Sequence, residues 1–293
     1  LLPKLTITKT VINHGLSYGT DYFSPYKVGT TTVDLNQATI FNPGTYTVSE
    51  KTDPNYTVTF GGACDSNGSV TLAAGDNKTC TITNEEKLTH LTLVKTVTNN
   101  DGGQALATAW TLTATGPTTI SGKTGDTSIT NAVVNSGTYT LSESGGPSGY
   151  TPGKWSCTGG SLSENQITLS SGQSATCTIT NNDQAGTLVV KKVVVNDNGG
   201  TLGAKDFTFK IGNGNPVSFE TDGQNDITIN AGTYTITEPA VSGYTTTYDN
   251  CTGVVVANGG TQTCTITNND QAGTLVVKKV VVNDNGGTLG AKD

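Results

Sequence analysis

The chain has no arginine and no methionine, only two histidines among 293 residues, and no CxxC pair. Each absence excludes something. All basic residues are lysines and the net charge is −7, so the positive footprint of a nucleic-acid binder is missing, and the acidity reads as a solubilising surface. His14 and His90 stand isolated, which leaves no His/Cys cluster to hold a metal and no nucleophile–base pair. No apolar run is long enough to span a bilayer, and no signal segment opens the chain, although a trimmed chain would lack one. No glycine-rich phosphate loop and no amphipathic helix stand out; Ala105–Trp110 is too short for one. No cofactor is expected. Hydrophobic residues make up only 33%, so the cores are thin.

What remains is rich in Thr, Val, Gly and Asn. The first two favour strands and the last two favour turns, so the chain reads as all-β. It also repeats itself. Residues 263–293 copy residues 176–206 letter for letter, so that Cys177 recurs 87 residues on as Cys264. An opening strand recurs at Leu5–Val11, Leu91–Val97, Leu188–Val194 and Leu275–Val281. A middle strand recurs as Gly44-Thr-Tyr-Thr-Val-Ser-Glu50, Gly137–Glu143 and Gly232–Glu238. A closing Thr-Cys-Thr-Ile-Thr-Asn recurs at Thr79–Asn84, Thr176–Asn181 and Thr263–Asn268. These copies divide the chain into repeats at about 1–86, 87–183 and 184–270, and residues 271–293 carry the first strand of a fourth, incomplete repeat. The short polar joints suggest units arranged end to end. The lone strand of 271–293 either belongs to a longer array or pairs with a next repeat or subunit.

Six cysteines fall one pair to a repeat: Cys64 with Cys80, Cys157 with Cys177, Cys251 with Cys264. With no CxxC and two histidines, disulfides are expected rather than metal, and disulfides point outside the cytosol. Each loop of about 15 residues would contribute on the order of 3 kcal/mol.

The period-2 alternation of a half-buried strand then selects a set of polar residues. Lys9 shares the apolar face of Leu5 and Ile7, and Lys95 and Lys192 occupy the same place in their copies. Glu50, Glu143 and Glu238 share a face with the tyrosine four residues earlier; Asn84, Asn181 and Asn268 share one with the closing cysteine and isoleucine. Each repeat thus aims a lysine, a glutamate and an asparagine inward from three strands, and such residues are rarely buried unpartnered.

This pattern resembles the collagen-adhesin B-type repeat (CnaB or SpaA-like, prealbumin-like) of bacterial surface proteins and pilins. The resemblance implies tandem Ig-like or prealbumin-like β-sandwiches. It also implies a Lys–Asn isopeptide bond in each repeat, joining Lys9 to Asn84, Lys95 to Asn181 and Lys192 to Asn268, with Glu50, Glu143 and Glu238 assisting. The chemistry is self-consistent. Burial favours a neutral, nucleophilic amine, a protonated carboxyl can polarise the carboxamide, and fixed placement supplies effective molarity. The alternative is a buried Lys–Glu ion pair with a hydrogen-bonded asparagine. Lys191, beside Lys192, points outward by parity, and Lys279 has no Glu or Asn partner in the chain.

The function implied is structural: the shaft or stalk of an extracellular surface fibre, filament or adhesin, self-associating and without enzymatic activity beyond its own cross-linking. The rival is an adhesin module gripping a host protein or glycan through loops of the divergent first repeat, where Tyr18, Tyr22, Phe23 and Tyr26 cluster after the opening strand. Asn99–Gly103 and Asn196–Gly200 read as turns, since they lack the closing bidentate glutamate of an EF-hand. Sequons at Asn55, Asn67, Asn77 and Asn250 are at chance level in so Asn- and Thr-rich a chain. Trp110 and Trp155 are assigned to core or rim rather than to a ligand platform.

Overall fold

The structure, a computed structural model, describes residues 1–292. It is almost wholly strand and turn, with 3-10 turns at Thr20–Phe23, Ala107–Ala109 and Ala204–Asp206. The chain divides into two compact units. One comprises Leu1–Asn99 with Gln104–Asn182; the other comprises Asn100–Gly103 with the chain from Asp183 onward.

Three separate hydrophobic cores follow the repeats. The first gathers residues from Leu5 to Ile82, the second from Leu91 to Ile179 and the third from Leu188 to Ile266. Each is the filling of a sandwich. In the first repeat the opening strand Lys4–Ile12 lies beside the closing strand Asn77–Glu86 in one four-stranded sheet, while the middle strand Gly44–Ser49 lies in another. The same division holds for Thr89–Thr98 with Ser174–Asp183, opposite Gly137–Gly145, and for Gly186–Val195 with Thr261–Asp270, opposite Gly232–Tyr234 and Ile236–Thr237.

Opening and closing strands run parallel in all three, in one register: Lys9 lies opposite Ile82, Lys95 opposite Ile179, Lys192 opposite Ile266. The alternation is obeyed. Leu5, Ile7, Cys80 and Ile82 are all buried, and the intervening threonines are not. The three disulfides join the expected cysteines, Cys64–Cys80, Cys157–Cys177 and Cys251–Cys264. Each ties the closing strand to the segment preceding it.

One expectation is revised. The aromatic stretch after the first opening strand is not a free loop. Phe23 and Tyr26 are buried core, Tyr26–Val28 forms a strand, and Tyr18 and Tyr22 stack on one another against that core. In this chain the copy of the opening strand at 275–281 forms no strand, and Leu275, Val276, Val277 and Val280 are exposed. Every closing strand in the described residues is already paired with its own opening strand; Asp293 lies outside the described residues. No helix among the described residues is long and apolar enough to cross a membrane.

Candidate functional site

The parallel register sets the geometry. Two residues past each inward lysine, the closing strand presents its asparagine on the same face: Val11 pairs with Asn84, Val97 with Asn181, Val194 with Asn268. Lysine and asparagine therefore sit on adjacent strands, within reach of the long lysine side chain. The glutamate arrives across the sandwich from the end of the middle strand. Its placement is helped by the tyrosine four residues before it. Tyr46, Tyr139 and Tyr234 each donate from the phenol to a backbone carbonyl four residues back, at Asn42, Asn135 and Asn230 (2.9, 2.6 and 2.8 Å).

All three lysines meet their glutamates. Lys9 Nζ donates to Glu50 Oε2 at 2.6 Å, with side chains 0% and 3% exposed. Lys95 Nζ lies 2.7 Å from Glu143 Oε2. Lys192 Nζ donates to Glu238 Oε2, and both side chains are fully enclosed. The asparagine is engaged differently in each repeat. Asn268 Oδ1 accepts from Lys192 Nζ at 2.5 Å. Asn181 Nδ2 donates to Glu143 Oε1 at 2.8 Å. Asn84 is buried with its Oδ1 unpaired, so in the first repeat only lysine and glutamate are joined. Lys191 is exposed, as parity required.

Burial pulls the amines of Lys9, Lys95 and Lys192 below the ordinary lysine value, against the opposing hydrogen bond and charge of the paired glutamate. Each amine also lies over an aromatic ring: Phe23 at 4.6 Å, Trp110 at 4.9 Å and Phe207 at 4.0 Å. Sequence reasoning missed this fourth member of the site, although the signal was present. The ring stands 14 or 15 residues after the lysine in every repeat. It accounts for Trp110 as a wall of the lysine pocket.

Among the described residues, the buried side-chain N and O atoms left without a polar partner are Glu50 Oε1, Asn84 Oδ1, Asn181 Oδ1, Glu238 Oε1 and Asn268 Nδ2, while Lys95 Nζ and Glu143 Oε2 meet only each other, as an ion pair at 2.7 Å. Every one belongs to a triad residue. Buried polar atoms in native folds are nearly always paired, so unmet demand concentrated at three equivalent places marks them as chemically special. No group of three or more His, Cys, Asp and Glu side chains among the described residues could hold a metal ion.

The sequence pattern of the prealbumin-like fold domain matches residues 86–179 and 183–268, together more than half of the chain. No curated protein matches. Among solved structures, the TIE protein of Bacillus anthracis is similar over 92% of this chain and 51% of its own, with 19% identity and a TM-score of 0.56. That likeness shows the fold. The pilus adhesin SpaC of Lactobacillus rhamnosus GG (12% identity, 92% and 44% coverage, TM-score 0.30) and two B repeats of the Staphylococcus aureus collagen-binding protein (14%, 92% and 75%, TM-score 0.24) also match, too loosely to carry an argument. The chain spans about half the length of the first two of these structures. The family match leaves out most of the first repeat, which nonetheless has the same parallel opening–closing pair and the same Lys–Glu contact.

Proposed function

The chain belongs to the prealbumin-like fold domain family, and from that premise we propose that it is the load-bearing shaft of an extracellular surface fibre or adhesin, its repeats locked by Lys–Asn isopeptide bonds. The observation that carries the reading is the enclosed Lys–Glu contact in each repeat with an asparagine carboxamide beside it, where Glu50 Oε1, Asn84 Oδ1, Asn181 Oδ1, Glu238 Oε1 and Asn268 Nδ2 are left without a partner. In the proposed reaction the neutral lysine amine attacks the asparagine Cγ. A bond forms between Nζ and Cγ, the bond between Cγ and Nδ2 breaks, and Nδ2 leaves as ammonia with a proton relayed by the glutamate. The product is a neutral amide, so the cost of holding a lysine cation in the core disappears. Lys192 is the most advanced toward it, since its amine already touches the Asn268 carboxamide and the enclosed Glu238.

The bond would act mechanically. Opening and closing strands carry the chain into and out of each repeat, and they are the two strands that the bond would join. Load would then bypass the sheet hydrogen bonds. The disulfides fit an oxidising, extracellular setting. The rival adhesin reading finds less free surface in the aromatic stretch of the first repeat, since Phe23 and Tyr26 are buried and the Tyr22 phenol donates to Asp53 at 2.6 Å.

Single-molecule pulling tests the shaft reading. The native chain should show no unfolding extension from any repeat at forces that unfold ordinary β-sandwiches, while the Lys192→Ala variant should release the contour length of the third repeat alone. Native repeats that extend like unlinked sandwiches would overturn it.

A further inference from the structure

After each opening strand the chain makes a short turn, and the carboxylate that ends the closing strand clamps it. Glu86 Oε2 accepts the N–H groups of His14 and Leu16 (2.5 and 2.9 Å). Within the second unit, Asp183 accepts those of Asn100, Asp101 and Gly103 (2.9, 2.9 and 2.7 Å). Asp270 accepts those of Asp197, Asn198 and Gly200 (3.0, 2.9 and 2.6 Å). His14, Asp101 and Asn198 are therefore equivalent, each followed by a glycine with positive φ.

Two of these three tips already carry a partner. The His14 carbonyl accepts the backbone N–H of Ser136 at 2.9 Å, and the Asp101 carbonyl accepts that of Ala231 at 2.8 Å. The fit is close. A Cβ on Gly15 would come within 2.4 Å of Ser136 Oγ, and one on Gly102 within 2.4 Å of the Ala231 carbonyl. Ser136 and Ala231 are themselves equivalent, each standing just before the glycine that opens a middle strand. The third tip is bare. The Asn198 carbonyl accepts no backbone hydrogen bond among the described residues, and nothing lies within 4 Å of a Cβ built on Gly199.

We propose that the Asn196–Gly200 turn, clamped by Asp270, is a docking surface, and that its partner is a further repeat of this kind, entering with the backbone N–H just before its middle-strand glycine. The first repeat of a second copy of the chain does not qualify. Its residue at that position is Pro43, held in the equivalent place by the hydrogen bond from Tyr46 to Asn42, and proline has no N–H to donate. Ser136 and Ala231 have already used theirs. The surface thus selects a newly supplied repeat with a non-proline residue at that position, and past Asp270 the sequence restarts a letter-for-letter copy of residues 184–206. This deepens the shaft reading at its joints and does not depend on the cross-links, which mass measurement reads separately.

The test extends the full chain by a copy of residues 207–270, which completes a fourth repeat. The appended counterpart of Ala231 should show amide exchange slowed roughly two- to tenfold, as one net backbone hydrogen bond implies, and ¹⁵N relaxation should show the last two repeats tumbling together. Alanine→Pro at that counterpart should free the appended repeat while its own closing strand stays protected. In the existing chain Ser136→Pro, which removes the N–H that His14 accepts, should loosen the first two repeats more than Ser136→Ala, which removes only the hydroxyl's bond to Glu86 Oε1 (2.9 Å). Free exchange at the appended alanine in a folded fourth repeat, or joint tumbling that survives the proline, would overturn the proposal.

Discussion

Removing the Glu238 carboxylate should unlock the third repeat selectively. Both Lys192 and Glu238 are fully enclosed, so Glu238→Ala leaves a lysine in the core with only the Asn268 carbonyl and the ring faces of Phe207 and Phe219 as partners. With no carboxylate to relay the proton, the Lys192–Asn268 bond does not form and the lysine stays in the core without its partner, at a cost of about 3–5 kcal/mol, of which cation–π contacts with the two rings return about 0.5–2 kcal/mol. A repeat of this size holds roughly 4–13 kcal/mol in total, so the loss is a large share of it. Amide exchange in the Thr261–Asp270 strand reports the opening of that core. At about 1.4 kcal/mol per power of ten, its protection should fall by roughly two to three and a half powers of ten. The Asn77–Glu86 strand, in another core, serves as the internal control. A fall of less than tenfold would show that the third triad is not a desolvated, mutually dependent set, and the reasoning from burial would fail.

Three further outcomes follow from the same structure. Replacing Cys251 and Cys264 together with alanine removes a cross-link spanning 13 residues, which should cost about 3 kcal/mol and lower the third repeat's melting temperature by roughly 12–24 °C in calorimetry. At Asp183, burial pushes the carboxyl up, but the N–H groups of Gly103, Asp101 and Asn100 outweigh it and hold it below its ordinary 3.8. The unfolded chain therefore takes up the proton first as pH falls. The carboxylate's contribution is complete above that ordinary value and is lost as pH drops through the lowered one, seen as faster exchange of those three amides. Gly186→Ala places a Cβ 2.3 Å from Val256 Cγ1 and 2.8 Å from the Ala257 carbonyl, and denaturant titration should register a loss of about 1–3 kcal/mol.

Much of the site was legible because strand alternation is a strict geometric rule. Lys9, Lys95 and Lys192 could be placed on the core face from the apolar residues two positions away, and the structure puts them there. The same rule went unused at its far end. Glu86, Asp183 and Asp270 lie two residues past the asparagines, on the same buried face, and continuing the alternation would have found the clamps on the turns. Other features leave no mark in a local pattern. The parallel pairing of first and last strands is set by the closure of the whole sandwich. The burial of Phe23 and Tyr26 depends on a 3-10 turn and a short strand that fold the aromatic stretch inward. In the second repeat the asparagine meets the glutamate, and in the third it meets the lysine. That difference lies in how each carboxamide is turned, which identical motif letters cannot distinguish.

The claim that lysine and asparagine condense in each repeat is tested most directly by the intact mass of the unreduced native chain, with Lys9, Lys95 and Lys192 each followed to its partner by peptide mapping. The account predicts a mass lower than that of the disulfide-bonded sequence by one ammonia per repeat, and linked peptides joining Lys9 to Asn84, Lys95 to Asn181 and Lys192 to Asn268. A chain at the full disulfide-bonded mass would contradict it and leave three buried ion pairs in place of three covalent locks.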